Sequence, residues 1–254
     1  MQNLFDLTGK VAVVTGGSRG LGFEMARAFA EHGARLVIAS RKLDACERAA
    51  RELGAACGTK VLPLAFHAGR WEDCQRLMDA VEAEFGRIDI LVNNAGASPL
   101  YPSLAEIGED LWNKVLDLNL KGPFRLSVLA AEKMAKLGGG SIINISSISA
   151  LEPTPLELPY AMAKSALHTM AAGMSHMYRG KVRINTIVPG AFLTDISKAW
   201  PEELREHLER SIPMGRAGNP SEIVGAALYL ASDAASYTSG AVIKVDGGLT
   251  YARG

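Results

Sequence analysis

The chain is poor in cysteine and in aromatic residues: three cysteines and 6% Phe, Trp and Tyr among 254 residues. Cys46, Cys57 and Cys74 form no C-x-x-C pair, and three thiols cannot all pair with one another. A disulfide scaffold is thereby excluded, and a reducing, cytoplasmic setting is expected. Neither sign of charge is in excess, since Lys+Arg and Asp+Glu both number 27. Nucleic-acid binders usually carry a clustered basic surplus, so no such partner is expected. No apolar run approaches the ~18 residues that suggest a membrane span. The opening MQNLFDLTGK lacks the apolar centre of a signal peptide. Five histidines are scattered without H-E-x-x-H or related ligand spacing, so no metal site is expected.

What the sequence does have is apolar content, 48%, ample for a buried core. Length alone allows one α/β domain or two small ones. Short, nearly continuous β-branched runs recur at 10–15, 35–40, 61–66, 88–94, 141–146, 182–188 and 241–246. Such runs suit parallel strands covered on both faces. Helical stripes lie between them: Leu21, Met25, Ala28 and Phe29 in one, and Cys74, Leu77, Met78, Val81 and Phe85 in another. Alternating strand and helix predicts a doubly wound parallel sheet with helices on both faces. No polar linker or internal repeat divides residues 1–254, so a single domain is expected. In such sheets ligands bind beyond the carboxyl ends of the strands.

After the first strand comes TGGSRGLG, in which Gly16, Gly20 and Gly22 are spaced G-x3-G-x-G at the entry to a helix. Glycine permits sharp turns and close ligand approach, and a helix N-terminus attracts phosphate. Taken alone, the stretch is equally an ordinary tight turn. It lacks the G-K-[ST] ending of a nucleoside-triphosphate loop. After the fourth strand comes NNAG, with Asn94, Ala95 and Gly96; Asn119 sits in a long helical stretch; Ser147 ends strand five. Tyr160 and Lys164 of YAMAK, at i and i+4, share one face of a helix. VPGAFLTD, with Pro189, Gly190, Phe192 and Thr194, follows strand six.

In their order and spacing these motifs, through to VDGG at 245–248, resemble the short-chain dehydrogenase/reductase family along almost the whole chain. The resemblance implies a Rossmann-type, seven-stranded parallel sheet and use of NAD(H) or NADP(H). It implies a catalytic tetrad of Asn119, Ser147, Tyr160 and Lys164, with the spacing to Tyr160 selecting Ser147 over its neighbour Ser146. Tyr160 would be the general acid in carbonyl reduction and the general base in alcohol oxidation. A tyrosine pKa of ~10 is high for that work, and a lysine cation nearby would lower it. The resemblance further implies that Lys164 grips the nicotinamide ribose, Ser147 bonds the substrate oxygen, Asn119 holds a water, and the segment around Phe192 and Thr194 seats the carboxamide. Residues Gly16, Ser18, Arg19, Gly20, Leu21, Gly22, Asn94, Ala95, Gly96, Pro189 and Gly190 would line the dinucleotide. A homodimer or homotetramer is implied as well.

An NAD enzyme usually ends strand two with an acid. Here ASRKLD puts Ser40 and Arg41 there. Arg19 and Arg41 could clamp a 2′-phosphate, for which guanidinium is well shaped, or both could be solvated. NADP(H) is the preferred cofactor on this reading, and NAD(H) a possible one. His67 stands where family members commonly have an adenine-contacting Asp. It either reads the adenine edge, as an H-x-G variant found in some carbonyl reductases, or is a solvated loop residue.

The loops 97–103 and 149–159 and a helical lid at 192–214 would enclose the substrate. Leu100, Tyr101, Leu151, Leu156, Leu158, Phe192 and Trp200 make them apolar. That favours a small-molecule ketone or secondary alcohol with an apolar portion. The opening LFDLTGK also resembles gluconate-type dehydrogenases, so an NAD-dependent sugar-acid dehydrogenase is an alternative. A 3-oxoacyl-carrier reductase and a non-catalytic dinucleotide sensor are the others. Sensors of this family often lose the tyrosine or lysine, and both are present here. A methyltransferase would leave Tyr160 with Lys164 unexplained.

Overall fold

The computed structural model describes residues 3–195, 197 and 202–250. Seven strands form one all-parallel sheet: β1 Val11–Thr15, β2 Arg35–Ser40, β3 Val61–Ala65, β4 Ile90–Asn93, β5 Gly140–Ile145, β6 Val182–Pro189 and β7 Val242–Val245. The helices are α1 Gly20–Glu31, α2 Leu43–Cys57, α3 Trp71–Phe85, α4 Glu109–Leu116, α5 Gly122–Lys136, α6 Leu158–Met177, α7 Glu202–Ser211 and α8 Val224–Ala231.

Strand order is β3-β2-β1-β4-β5-β6-β7. The chain builds outward from β1 to β3, then returns to place β4 on the other side of β1. The two loops that leave β1 and β4 therefore diverge and open a crevice at that switch point.

Alternation along each strand divides the core. Leu36 and Ile38 of β2 pack with Met25 and Phe29 of α1, Leu53 of α2 and Leu230 of α8. Val37 and Ala39 face the opposite layer with Leu77 and Met78 of α3, Leu126 and Met134 of α5, and Ala171 of α6. Both expected helical stripes are buried along most of their length, with Leu21 and Phe85 only partly covered. Phe29 is fully buried; truncating such a side chain typically costs about 3–5 kcal/mol.

All seven expected strands form, most of them trimmed at their ends. β4 is four residues long rather than seven. β5 stops at Ile145, so Ser147 lies beyond the strand. Its hydroxyl caps a short turn at Ile148–Ala150 by accepting from Ser149 N at 3.2 Å. The lid region contains α7 as expected, whereas Trp200 falls outside the described residues. Among the described residues no helix is long and apolar enough to cross a membrane, and no His/Cys/Asp/Glu group could hold a metal.

Candidate active site

The carboxyl ends of β1, β2, β4, β5 and β6 share one rim of the parallel sheet, and they bring the motifs together. At β1 the glycine loop is tied to the loop after β4. Thr15 Oγ1 accepts from Asn94 N at 3.0 Å and Ala95 N at 3.1 Å, and donates to Val92 O at 3.1 Å. Asn94 Nδ2 donates to Thr15 O at 2.9 Å and Gly16 O at 3.2 Å. Asn94 also explains two of the glycines. A Cβ at Gly16 would meet Asn94 Nδ2 at 2.7 Å, and one at Gly22 would meet it at 2.5 Å. Gly16 and Gly20 both have a positive φ, 66° and 57°, but Gly20 is open: a Cβ there would approach only Thr194, at 3.7 Å or more. The open side of the loop is at Gly20, where α1 begins. α1 has no side-chain cap and no acid in its first turn. Its first N–H groups are thus left for a ligand, and the helix dipole favours an anion there. This donor set fits the diphosphate of a dinucleotide.

Ser18 and Leu21 are half-buried in this loop, and Arg19 is its exposed residue. Ser18 Oγ lies 3.1 Å from Ser40 Oγ, which lies 3.0 Å from Cys46 Sγ. The glycine loop and the end of β2 therefore meet through hydroxyls. Arg41 follows, also exposed. Asp44, the next acid along the chain, is ion-paired to Arg48 at 2.9 Å on the outside of α2. His67 is half-buried and turned back on its own loop: its Nδ1 accepts from Gly69 N at 3.2 Å, and its backbone N donates to Asp73 Oδ2 at 3.1 Å.

Asn119 lies in a π turn, Asp117–Lys121, between α4 and α5. Single π turns interrupt the i→i+4 ladder and recur at functional sites. Asn119 is fully buried. Its Nδ2 donates to Val115 O and to Ala97 O, each at 2.9 Å, and its Oδ1 accepts from Ala97 N at 3.2 Å. A Cβ on Gly96 would strike Asn119 Oδ1 at 2.7 Å and Lys164 Nζ at 3.1 Å. Gly96 is thus where Asn119 and Lys164 converge.

α6 carries Tyr160 and Lys164 one turn apart. Lys164 Nζ donates to Ile145 O at 2.8 Å and stands 5.6 Å from the centroid of the Tyr160 ring. Burial pushes the Lys164 ammonium down to about 8. Burial also pushes the Tyr160 phenol up, to about 12; the neighbouring Ser147 hydroxyl opposes that and the charge of Glu157 adds to it. The lowering of Tyr160 expected from a lysine cation is therefore absent in this state. Desolvation governs both groups, raising Tyr160 and weakening the hold of Lys164 on its own proton.

Ser146 and Ser147 have separate duties. Ser146 is buried under α6, where its Oγ donates to Lys164 O at 3.0 Å and lies 2.8 Å from His168 Nε2. Ser147 is the one beside Tyr160. Its Oγ is 3.0 Å from Ser149 Oγ, which donates to Glu157 Oε1 at 2.6 Å. Tyr101 OH clamps the adjoining loop, donating to Pro155 O at 2.6 Å and accepting from Leu158 N at 2.8 Å. Thr15, Ser149 and Glu157 were not singled out by the sequence. The one signal was position: Thr15 ends an apolar strand, and Glu157 stands three residues before Tyr160.

Beyond β6, Gly190 packs so tightly that a Cβ would meet Asp246 Cα at 2.7 Å, and Pro189 ends the strand. Phe192, expected to help line an apolar substrate site, is instead buried in the core against Gly218. Its side chain anchors the segment and leaves only its backbone for a ligand. Leu100, Leu151 and Leu156, in the segments that follow β4 and β5, are exposed. A cavity of about 620 Å³ is at the opposite rim, lined by Lys10, Arg87, Arg179, Lys181 and Arg183 among others. α5 and α6 end there, and cations suit helix C-termini. None of the motif residues reaches that cavity.

Residues 16–250 match the family described as Enoyl-(Acyl carrier protein) reductase. Dehydrogenase/reductase SDR family member 4 of Bos taurus is 37% identical, over 95% of this chain and 88% of that protein. D-threitol dehydrogenase of Mycolicibacterium smegmatis is 38% identical, over 97% and 95%. The crystal structure of the NADPH-dependent 3-quinuclidinone reductase of Rhodotorula rubra superposes with a TM-score of 0.91 at 32% identity, covering 97% of this chain and 93% of that one.

Proposed function

Because the chain belongs to the short-chain dehydrogenase/reductase family of oxidoreductases, we propose that it interconverts a ketone and a secondary alcohol, with NADP(H) as preferred cofactor and Tyr160 as the general acid and base. The observation that carries this reading is a chain of contacts: Asn119 and Lys164 meet at Gly96, the Lys164 ammonium stands 5.6 Å from the Tyr160 ring, and Ser147 hydrogen-bonds Tyr160.

A bound nicotinamide dinucleotide would supply or accept the hydride. The uncapped start of α1 would hold its diphosphate, and Ser18, Ser40, Arg19 and Arg41 its 2′-phosphate. Tyr160, a phenol in this state, is suited to give its proton to a carbonyl oxygen as that oxygen gains negative charge. Lys164, held by Ile145 O, stabilises the phenolate left behind, and Asn119 fixes the loop at Ala97 that walls the site. Ser147 stands where it can bond the substrate oxygen. Leu100, Leu151 and Leu156 suit an apolar portion of the substrate, and α7 with its flanking segment, 192–214, forms the lid. An acyl-carrier thioester and a sugar alcohol remain within the same chemistry.

Turnover of a panel of cyclic ketones, 3-oxo esters and ketoses, with NADPH and with NADH, tests the reading. Tyr160→Phe should still bind NADPH, while carbonyl reduction falls by about 10² or more, the usual scale for a lost acid/base group. Near-normal reduction by this variant would reject the role of Tyr160. No turnover of any panel member by the wild type would favour a dinucleotide sensor.

A further inference from the structure

We infer that Glu157, acting through Ser149, sets the polarity of the Ser147 hydroxyl and so makes the site favour a bound alcohol over the matching ketone. This rests on the proposed carbonyl–alcohol chemistry and adds a specificity-determining residue to it.

The argument is a count of protons. A carboxylate only accepts hydrogen bonds, and a serine hydroxyl has one proton to donate. Ser149 Oγ is 2.6 Å from Glu157 Oε1, so as long as Glu157 is ionised the Ser149 proton is spent on it. Ser147 Oγ lies 3.0 Å from Ser149 Oγ. Ser149 has nothing left to donate, so Ser147 must be the donor in that pair. Ser147 also accepts from Ser149 N at 3.2 Å. Of its one proton and two lone pairs, a single lone pair is left to face Tyr160 and the substrate.

Ser147 is therefore presented as an acceptor. A neutral Tyr160 donates to the substrate oxygen in either case. An alcohol can then complete the arrangement by donating its own O–H to Ser147. A ketone cannot, because it has no proton and meets the lone pair of Ser147. To bond a ketone, Ser147 must withdraw its proton from Ser149, leaving the two serine oxygens without a proton between them. Reversing the whole chain removes that conflict, but it requires a donor at position 157.

Glu157→Gln supplies one. The carboxamide N–H can donate to Ser149, Ser149 to Ser147, and Ser147 to a carbonyl. Ser149→Ala reaches a similar end by freeing Ser147 to rotate. The experiment uses the ketone that the wild type reduces fastest in the carbonyl panel, with its matching alcohol. Their dissociation constants are measured in non-reacting complexes, the ketone with oxidised and the alcohol with reduced cofactor. In the wild type the alcohol should bind tighter. In Glu157→Gln and in Ser149→Ala the ketone-to-alcohol ratio of dissociation constants should fall about tenfold, the worth of one hydrogen bond. The double variant should show no further fall, because both changes break one chain.

A purely structural effect on the loop would weaken both ligands together and leave the ratio alone. An unchanged ratio in both single variants, or additive changes in the double variant, overturns the assignment of Glu157 while the proposed reaction stands. A wild type that turns over no panel member overturns both.

Discussion

At the scale of single residues, the site contains a cation placed where it costs stability. Lys164 is almost fully buried, and its ammonium falls from an ordinary 10.5 to about 8. The sign follows from proton counting. Between those two values the unfolded chain binds more protons than the folded one, so stability rises with pH across the window and the full cost is present below about 8. That cost is roughly 3 kcal/mol. Lys164→Met removes it but leaves Ile145 O unpaired, which costs about 1–3 kcal/mol. The variant should thus be inactive yet as stable as the wild type or up to roughly 2 kcal/mol more stable at neutral pH, with any advantage fading as pH rises from about 8 towards 10.5. Urea denaturation at several pH values measures this; a variant that loses several kcal/mol at neutral pH would refute it. Two exposed arginines carry the second residue-scale prediction. Arg19 and Arg41 flank the Ser18–Ser40 contact, with no acid replacing them, since Asp44 is held by Arg48. A charge-assisted hydrogen bond to a 2′-phosphate contributes about 1.5–3 kcal/mol, a roughly ten- to hundredfold change in affinity. Arg41→Ala should raise KM for NADPH by about that factor and leave NADH nearly unchanged. Ser40→Asp should reverse the preference by repelling the phosphate and offering a ribose hydroxyl an acceptor. Equal losses with both cofactors in Arg41→Ala would sink the phosphate clamp.

Among the elements, the strands and helices that frame the site were legible because their patterns are strong. Continuous apolar runs mark β1, β2 and β6, and the stripe Cys74, Leu77, Met78, Val81 marks α3. Tyr160 and Lys164 were legible because i,i+4 spacing on a helix fixes their common face. The parts that were not legible depend on contacts distant in sequence. Nothing near residue 22 indicates that Gly22 is required by the amide of Asn94, or that Phe192 turns inward because Gly218 gives it room. The π turn at Asn119 is invisible to a 3.6-residue period, since it adds one residue without breaking the helix. The upward push on Tyr160 is hidden from the sequence for the same reason: burial is a property of the folded whole. The proposed lid is the element whose behaviour can be tested. Phe192 and Gly218 pin its base, with Gly218 N donating to Ala191 O at 2.9 Å and Leu193 N to Gly218 O at 2.8 Å. α7 beyond it is polar and mostly exposed. Segments with few buried contacts open most readily. Amides of 202–211 should exchange quickly in the free protein and slow on binding cofactor and substrate, whereas those of 191–194 and 218 should be protected throughout. Equal exchange of α7 in the free and bound states would remove it from the lid.

For the whole molecule, two of the exposed apolar regions among the described residues bear on assembly. One is carried by α4, α5 and α6, where Trp112, Phe124 and Met162 are 38%, 45% and 41% exposed. The other lies at one of the two sheet edges, where β7 pairs on one side only and Val242 is 42% exposed; Tyr237, five residues earlier in the chain, is fully exposed. Open sheet edges and contiguous apolar helix faces invite pairing, and a formal net charge of zero offers no long-range repulsion between copies. Each surface can meet itself across a two-fold axis. Two distinct self-complementary surfaces on one chain generate a closed tetramer with dihedral symmetry, whereas one alone stops at a dimer. We propose a homotetramer, one of the two assemblies that the family resemblance implies. Because α6 carries both Tyr160 and Met162, the helix that holds the candidate acid would be braced by a neighbouring copy. Phe124→Asp places a charge in the first surface and should leave a dimer held by the β7 edge, with a lower melting temperature and reduced turnover. Val242→Asp should leave the complementary dimer, held by the helices, with turnover closer to the wild type. Sedimentation velocity across a range of concentrations reads these masses directly. A wild type that stays monomeric at micromolar concentration, or a Phe124→Asp variant that remains tetrameric, would refute this arrangement.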